Sequence, residues 1–546
     1  MSQLNLEPTL KAFYHWETVA ADNAFLRQPF GNDWKEYSWH EVGQQVRKMA
    51  QHLKTTLPPK SKVAILSLNC SHWIMADLAI MMAGHISVPI YPTAGKETIT
   101  TILEHSESKL LFVGKMPDWP AKNEAVADEL PKISFYQPHS GIKEWDEVIA
   151  ETEAMSESPI PDLDELATIV YTSGTTGIPK GVMIDYRALS NGAAAASQFV
   201  DIGQERAFSY LPLAHCAERE LTEIISIHTG STISFTESLD RFQENIVSVR
   251  PTIFFGVPRI WLKFQQGIED KVGKRKLWFL LKLPIIKNII RRKVLTGLGL
   301  DKAKVVLSGA AALPRATMDF FDSIGLEICE AYGLTETMAF SHASKPGCRK
   351  KGSVGVAMPT AEAKLADSGE ILLKSPCLMQ GYYKEPLKTA EVIDEEGFFH
   401  TGDIGMIDES GFLFITGRVK DIFKTSKGKY VSPAPIEAKL EPELGVEHLC
   451  VIGDGLPAPV AIASVYNKTI KDRAAFTQES EQTLQKLNNQ LEKHERLTKL
   501  IFVDEAWTTE NGLITPTLKI RRQQVEKYYQ AIIEKHYKKQ EMIIWD

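Results

Sequence analysis

The chain contains the stretch Thr172-Ser173-Gly174-Thr175-Thr176-Gly177-Ile178-Pro179-Lys180-Gly181, directly after the apolar run 167–171. The apolar run predicts a buried strand, so the stretch forms a loop at a strand end. Glycine lets backbone amides approach an anion closely, the hydroxyl groups add donors, and Lys180 adds a compact positive charge. Together these features predict a loop that holds a polyphosphate.

This stretch differs from the P-loop, in which glycine is followed at a fixed spacing by Gly-Lys-Ser/Thr. Here Gly177 stands three positions before Lys180, and Gly181 follows the lysine. The composition alone would also fit an ordinary surface loop. The order of strand and loop favours the phosphate site, because ligands of α/β sheets bind beyond the carboxyl ends of strands.

Composition excludes several classes of protein. The 546 residues are 44% hydrophobic and 24% charged, as in globular proteins of several domains, and the net charge of -7 gives no support for nucleic-acid binding. The six cysteines form no CxxC pair or metal-ligand cluster, which predicts reduced, mostly buried thiols. The N-terminus has no signal-peptide pattern, and no apolar run reaches the about 18 residues of a membrane span. The sequence therefore predicts a cytoplasmic protein.

Apolar strand-like runs alternate with amphipathic helical patterns through the first two thirds of the chain. The runs are 62–68, 85–91, 109–113, 252–256 and 304–307, and the clearest helical pattern is 40–53. This alternation predicts an α/β fold of layered sheets and helices. From about residue 360, short runs between glycine-rich turns predict a small antiparallel β unit, with a mixed α and β segment after it; these runs are 369–373, 394–399 and 411–415.

A second polar stretch, Glu330-Ala331-Tyr332-Gly333-Leu334-Thr335-Glu336-Thr337, follows a predicted strand at 326–329. Tyr332 can lie against an adenine face, Gly333 allows a ligand to approach closely, and Thr335 can donate to a phosphate. Glu336 offers a hard oxygen to Mg²⁺, which binds through few carboxylates together with substrate phosphates. Taken alone, the stretch could also be a turn with a solvated glutamate.

Asp403 and Arg418 form a third polar group near the end of the β unit. A carboxylate accepts two hydrogen bonds from vicinal hydroxyls, so Asp403 suits a ribose diol, and Arg418 suits a bidentate contact to ribose or phosphate. The two could instead form a salt bridge between domains.

Earlier in the chain, the small residues Gly309 and Ala310 either leave room for a ligand or allow tight packing of a helix on a strand.

In this order, the three groups resemble the core motifs of the adenylate-forming superfamily, which includes acyl-CoA synthetases, luciferases and the adenylation domains of peptide synthetases. The resemblance extends over roughly residues 10–530, and at 211–219, at Lys420 and at 513–522 it is strongest to long-chain fatty acyl-CoA synthetases. It implies that ATP activates a long-chain fatty acid as an acyl-adenylate, with Mg²⁺, and that coenzyme A then takes the acyl group. The alternatives are a ligase that loads a carrier protein, an acid of another chain length, or a non-catalytic binding protein.

The resemblance also implies roles for individual residues. The ATP and AMP contacts would be Thr172, Ser173, Gly174, Thr175, Thr176, Gly177, Lys180, Gly309, Ala310, Tyr332, Gly333, Thr335, Asp403 and Arg418. The catalytic residues would be Lys519, Glu336, Thr335 and His215, with Glu336 and Thr172 at the metal. As isolated residues, His215 could equally be structural and Lys519 solvated.

Domain boundaries follow from the same resemblance. It implies an N-terminal adenylation domain at 1–417, whose β subdomain is at about 355–417, and a small mobile C-terminal lid domain at 422–546. The hinge would be 418–421, with Lys420 at its centre, and Gly428 would line the narrow channel for the pantetheine of coenzyme A.

One segment, 271–293, interleaves basic residues with Trp278, Phe279, leucine and isoleucine. This pattern fits a peripheral contact with an anionic membrane, at its inner face. It also fits a packed pair of helices with solvated lysines.

Overall fold

A computed structural model describes residues 6–173, 179–466, 468, 470–515 and 519–546, with only the backbone for Ser173, Pro284 and Ile285. The chain forms two compact units. One has residues Met1–Ala363 and Leu373–Phe399, and the other has Lys364–Leu372 and His400–Asp546. The α/β fold class predicted from the sequence is confirmed. The hinge at 418–421 stays a prediction, since it concerns a movement.

The largest sheet of the first unit holds the loop predicted to bind phosphate. In spatial order its strands are Gly381–Tyr382, Pro179–Asp185, Leu166–Ser173, Ile86–Ile90, Lys62–Leu66, Leu110–Val113, Lys132–Ser134 and Lys143–Glu144. The strands from Leu166–Ser173 onwards pair in parallel, whereas Leu166–Ser173 and Pro179–Asp185 form an antiparallel hairpin. The predicted strands at 62–68, 85–91 and 109–113 are therefore confirmed.

Two further sheets complete the first unit. One has the strands Ile253–Gly256, Val305–Ser308, Cys329–Tyr332, His342–Ala343 and Val356–Ala357, and the other has Arg206–Ser209, Thr232–Phe235, Ala24–Phe30 and Asp33–Ser38. The prediction of a strand at 326–329 was wrong by three residues, because the strand begins at Cys329. Glu330 and Tyr332 consequently lie on the strand instead of after it.

Helices pack against these sheets through their apolar residues, and Ser71–Met82 is buried on nearly all sides. The helix Trp39–Thr56 begins at a capping box between Ser38 and Glu41, and the residues predicted for its inner face, from Val42 to Leu53, are buried. The other helices of this unit are Thr9–Val19, Ser71–Met82, Lys96–Ser106, Trp119–Lys122, Trp145–Glu151, Tyr186–Val200, Cys216–Glu218, Ile225–Thr229, Phe242–Val249, Pro258–Val272, Lys274–Lys282, Pro284–Leu298, Arg315–Ser323 and Pro386–Ala390.

A charged cluster is buried inside the first unit, in contact with the strand that leads to the predicted phosphate loop. Arg219 is fully buried in a π-helical segment, Arg219–Ile224, where it pairs with Asp77 and donates to Thr168 Oγ1 at 2.8 Å. Thr168 is on the strand that leads to the loop. Glu223 Oε2 also lies 3.6 Å from Arg219 Nε, and burial raises the pKa of the Glu220 and Glu223 carboxyls well above the usual range.

Most residues of a further four-stranded sheet belong to the second unit, and its strands are Glu362–Leu365, Glu370–Lys374, Phe399–Ile407 and Leu413–Arg418. It corresponds to the predicted small β unit, although 394–398 is a turn before the strand and not part of it. A hairpin, Phe423–Lys424 with Tyr430–Val431, follows. The rest is the sheet His448–Ile452, Val460–Ser464, Lys499–Val503 and Ile543–Trp545 with the helices Ala434–Leu444, Arg473–Asn488, Arg522–Tyr528 and Gln530–Tyr537.

The cysteines agree with the sequence prediction. All six cysteines are free thiols, and every one except Cys348 is buried. Among the described residues, no helix has both the length and the apolar content needed to cross a membrane.

Candidate active site

The loop predicted to bind phosphate connects the two strands of a hairpin. Thr172 pairs directly with Lys180, and Ser173 pairs with Pro179, where the strands Leu166–Ser173 and Pro179–Asp185 meet the loop. Thr172 and Lys180 are half-buried. Gly174, Thr175, Thr176 and Gly177 lie outside the described residues. The hairpin therefore fixes both ends of the predicted phosphate loop and places its lysine beside Thr172.

A tyrosine connects Lys180 to Glu336. The Lys180 ammonium lies 4.7 Å from the ring centroid of Tyr382, a cation–π distance, and the Tyr382 hydroxyl donates to Glu336 Oε1 at 2.8 Å. Tyr382 is buried, and burial followed by the adjacent Glu336 charge raises the pKa of this phenol far above its usual value. The hydroxyl therefore keeps its proton and donates to the carboxylate.

Sequence reasoning did not identify Tyr382. Its only local signal is the Gly381-Tyr382-Tyr383 run, which resembles any short aromatic strand. Its importance comes from pairing: Gly381 and Tyr382 lie opposite Met183 and Val182 at the edge of the large sheet. The residue is thus brought to the site by a contact between distant parts of the chain.

Glu336 has a donor set that fits a hard divalent cation. It lies in the short 3₁₀ turn Thr335–Thr337 and is half-buried. The Tyr382 hydroxyl donates a hydrogen bond to Glu336 Oε1. Among the described residues, Glu336 Oε2 has no hydrogen-bond or salt-bridge partner. The same part of the chain has no group of three or more His, Cys, Asp and Glu that could hold a metal. One carboxylate with a vacant oxygen suits Mg²⁺, which takes most of its remaining ligands from phosphates and water.

Gly333 is required by its own turn. A Cβ at this position would lie 2.1 Å from the carbonyl carbon of Ala339, far inside van der Waals contact. The chain turns back here through two left-handed residues, Met338 with φ 47° and Ala339 with φ 60°. Close backbone packing thus explains this glycine, independently of the ligand approach predicted for it. Tyr332 precedes it at the strand end, 6.4 Å from the His342 ring.

Replacing Gly333 by alanine is expected to destabilise the first unit by about 2 kcal/mol, because backbone atoms must move to admit the methyl group. The matched control is Gly267→Ala in the helix Pro258–Val272, where a Cβ meets nothing within 4 Å. That variant should be neutral or slightly more stable, since alanine favours helices. Denaturant unfolding of both variants measures the difference, and equal stabilities would contradict the expectation.

His215 and Thr335 lie close together through Cys216. The Cys216 thiol donates to Thr335 Oγ1 at 3.5 Å, and Cys216 begins the helix Cys216–Glu218. His215 caps this helix, with its Nδ1 accepting from the Ala217 amide at 3.1 Å. The capping bond is a structural role for His215, and it places the imidazole beside the turn that carries Thr335 and Glu336.

Gly309 and Ala310 follow the strand Val305–Ser308 in a tight bend. A Cβ on Gly309 would lie 3.1 Å from the Ala331 carbonyl oxygen and 3.2 Å from the Phe255 ring, and Ala310 adopts φ 67°. Both contacts are with residues on neighbouring strands, so Gly309 is explained by close packing of strands and not by the packing of a helix on a strand. The neighbouring strand carries Glu330, whose carboxyl accepts from the Leu313 amide and has its pKa raised by burial to about 7.

In the second unit, Asp403 and Arg418 lie opposite each other on the paired strands Phe399–Ile407 and Leu413–Arg418. Arg418 Nε lies 2.5 Å from Asp403 Oδ1, with the carboxylate buried and the guanidinium about half exposed. They thus form a salt bridge between two residues of the second unit. The pair presents a fixed carboxylate and a partly exposed cation side by side.

Three further predicted residues, Lys420, Gly428 and Lys519, belong to the second unit. Lys420 follows Arg418 in a turn closed by the Asp421 amide donating to the Arg418 carbonyl. Gly428 lies in the turn of the hairpin Phe423–Lys424 and Tyr430–Val431, with φ 77° and open space around a Cβ. Lys519 is exposed, and its amide donates to Thr515 Oγ1 at 3.1 Å.

The chain matches known families along nearly its whole length. Residues 13–383 match the AMP-binding enzyme family, and residues 420–541 match the AMP-binding enzyme C-terminal domain. Long chain acyl-CoA synthetase 6, peroxisomal, of Arabidopsis thaliana is 30% identical over 88% of this chain and 78% of its own length. Long-chain-fatty-acid–CoA ligase FadD15 of Mycobacterium bovis is 27% identical over 93% of each chain.

Solved structures share the fold at lower identity. The adenylation domain of a carboxylate reductase from Mycobacterium chelonae superposes with a TM-score of 0.83 at 21% identity, over 98% of this chain and 92% of that one. ATP-bound MatB from Rhodopseudomonas palustris gives a TM-score of 0.76 at 22% identity, over 96% of this chain and 100% of that one. At these identities the likeness shows the fold alone.

Proposed function

From the premise that the chain belongs to the AMP-binding enzyme family, we propose that it is an AMP-forming long-chain fatty acid–CoA ligase. The observation that carries this proposal is the match to long-chain acyl-CoA synthetases over most of both sequences. The pairing of Lys180, Tyr382 and Glu336 supports it, because it joins a phosphate-binding cation to a metal-binding carboxylate. ATP and the fatty acid react first, and coenzyme A second.

The chemistry has two displacements. An oxygen of the fatty-acid carboxylate attacks the α-phosphorus of ATP, the bond to the β-phosphate oxygen breaks, and pyrophosphate leaves. The thiol sulfur of coenzyme A then attacks the acyl carbonyl and loses its proton, and AMP leaves with the electrons of the mixed-anhydride bond. Both steps bring anions together, so catalysis depends on positioning and on offsetting negative charge.

The residues divide these tasks. The loop that includes Thr172 and Lys180 holds the β- and γ-phosphates, and Glu336 with Thr172 would hold Mg²⁺, which would offset phosphate charge. Tyr332 lies against the adenine, Thr335 donates to phosphate, and the pair of Asp403 and Arg418 binds the ribose. Lys519 binds the acyl carboxylate and the α-phosphate during the first step. The Tyr382 hydroxyl orients the Glu336 carboxylate, as outer-shell donors do at metal sites.

One assay tests both the thiol that accepts the acyl group and the carboxylic acid that is activated. AMP release is measured with a panel of carboxylic acids, in the presence of either free coenzyme A or a pantetheinylated carrier protein. The proposal expects turnover with long-chain acids and free coenzyme A. Turnover only with the carrier protein would favour a loading ligase, and the absence of fatty-acid-dependent ATP–pyrophosphate exchange would favour a non-catalytic binding protein.

Replacing Glu336 by alanine is expected to raise the Mg²⁺ concentration for half-maximal adenylation about tenfold, because the metal loses a protein ligand. Tyr382→Phe should shift the same value in the same direction, since it removes the donor to Glu336 Oε1 while keeping the ring beside Lys180. Tyr383→Phe, on the next residue, is the matched control and should leave the Mg²⁺ requirement unchanged. A titration of initial rate against Mg²⁺ at saturating ATP would count against the metal assignment if both site variants behaved like the control.

A further inference from the structure

Two helices in the first unit carry a cluster of exposed apolar side chains. They are Lys274–Lys282 and Pro284–Leu298, joined by Leu283 alone. Trp278 is 62% exposed, Phe279 60% and Ile289 62%, and Ile286 is also exposed. Single exposed apolar residues are common on protein surfaces, but four within twelve positions, two of them aromatic, indicate a contact surface.

The same two helices are strongly basic. From Lys271 to Lys293 there are nine lysines and arginines and no acidic residue, in a chain whose net charge is -7. In the part of the chain that the structure describes, no carboxylate lies within salt-bridge distance of Lys274, Arg275, Lys276, Lys282, Lys287, Arg292 or Lys293. Among the described residues, the charge of these seven side chains is therefore not paired in a salt bridge.

The buried side of the two helices packs against the core of the first unit. Leu277 is buried in an apolar cluster, with the partly buried Leu281, Ile290, Val294 and Leu295 packed against that cluster. Arg291 adds a hydrogen bond, since its Nε donates to the Ser323 carbonyl at 3.0 Å. The exposed residues Trp278, Phe279 and Ile289 take no part in this packing, so the fold does not explain them.

We propose that the outer face of these two helices docks on an anionic lipid bilayer. Tryptophan and phenylalanine side chains enter the boundary between headgroups and acyl chains, and flanking lysines and arginines contact the headgroup phosphates. The Lys282 ammonium lies 3.3 Å from the Trp278 ring centroid, so the cation and the ring already face the same region. Nucleic acid would also complement the positive charge, but it has no apolar region in which the exposed isoleucines could be buried.

This inference goes beyond the proposed function and does not depend on it, because vesicle binding needs neither ATP nor a fatty acid. Where the proposed function holds, the contact has a use. Long-chain fatty acids partition into bilayers, so an enzyme held at the surface meets its substrate there.

The test is co-sedimentation of the full chain with vesicles at about 0.1 M salt. One vesicle preparation is phosphatidylcholine alone, and the other contains phosphatidylglycerol at about 30% in phosphatidylcholine. The proposal expects binding to the anionic vesicles that weakens as salt is raised. Lys274→Gln/Arg275→Gln/Lys276→Gln should lower the partition coefficient about 100-fold, at roughly fivefold for each basic residue near an anionic surface. Trp278→Ser/Phe279→Ser should lower it about tenfold, since binding scales with buried apolar area.

Matched controls change equally exposed residues elsewhere. Leu239→Ser/Leu387→Ser removes two leucines that are 77% and 81% exposed, and Lys109→Gln/Lys302→Gln/Lys486→Gln removes the same charge from other surfaces. Both controls should bind as the parent does. The proposal is overturned if the parent does not bind anionic vesicles, if the helix variants bind as tightly as the controls, or if a DNA oligonucleotide at equal charge concentration displaces the vesicles.

Discussion

Lys519→Ala is expected to slow acyl-adenylate formation about 1,000-fold, the upper end of the effect of removing one stabilising group from a polar transition state. Thioester formation from supplied acyl-adenylate should stay within about threefold of the parent, because the α-phosphate bond is already made before that step. Lys519 is exposed and belongs to no apolar core cluster, so the alanine variant should fold normally.

The two half-reactions are measured separately. ATP–pyrophosphate exchange reports the first step, and AMP release from purified acyl-adenylate with coenzyme A reports the second. Lys527→Ala, which removes another exposed lysine from the same unit, is the control and should retain both activities. Equal losses in the two half-reactions would show that Lys519 supports the protein or binds a group common to both steps.

Gly428→Leu is expected to have the opposite pattern, with thioester formation slowed at least about 100-fold and adenylation nearly unchanged. A leucine side chain in the channel that Gly428 is proposed to line would keep the thiol from the distance at which it can attack, and small misplacements of reacting groups are costly. The structure adds a second effect, since φ is 77° at this residue and every side chain is strained there.

Strain and obstruction are separated by two control variants. Gly428→Ala introduces the same backbone strain with a much smaller side chain, and it should keep most of the thioester activity. Gly455→Leu adds the large side chain at another left-handed glycine, φ 67°, where a Cβ also meets nothing within 4 Å. The channel assignment fails if Gly455→Leu reproduces the pattern, or if Gly428→Leu has normal overall turnover.

The regular elements could be predicted because their cause is local. A buried parallel strand is a short apolar run, and the run at 62–68 became the strand Lys62–Leu66 for this reason. The predicted strand at 326–329 was misplaced because Glu330 looks polar. In the folded chain its carboxyl is buried and hydrogen-bonded to the Leu313 amide, so the strand continues through it.

The site was predictable only where a motif is continuous in sequence. Lys180 and Glu336 were each identified within their own stretch, but nothing in either stretch specifies that Tyr382 lies between them. The packing reason for a glycine at position 333 could not be predicted either. The backbone that approaches Gly333 belongs to Ala339, and the left-handed bend that places Ala339 beside it contains no glycine to indicate a bend. Contacts of this kind depend on the tertiary fold.

The edge strand Gly381–Tyr382 determines when the site can assemble during synthesis. Its partner strand, Pro179–Asp185, leaves the ribosome roughly 200 residues earlier. Until Gly381 emerges, that strand has an unpaired edge, which is the kind of surface on which nascent chains associate. The Met379 amide also donates to the Glu336 carbonyl, so one late segment both completes the sheet and contacts the turn that carries Glu336. A chain that stops before residue 379 therefore has the sequence of the phosphate loop but lacks the strand that completes its sheet and the tyrosine that joins its lysine to Glu336.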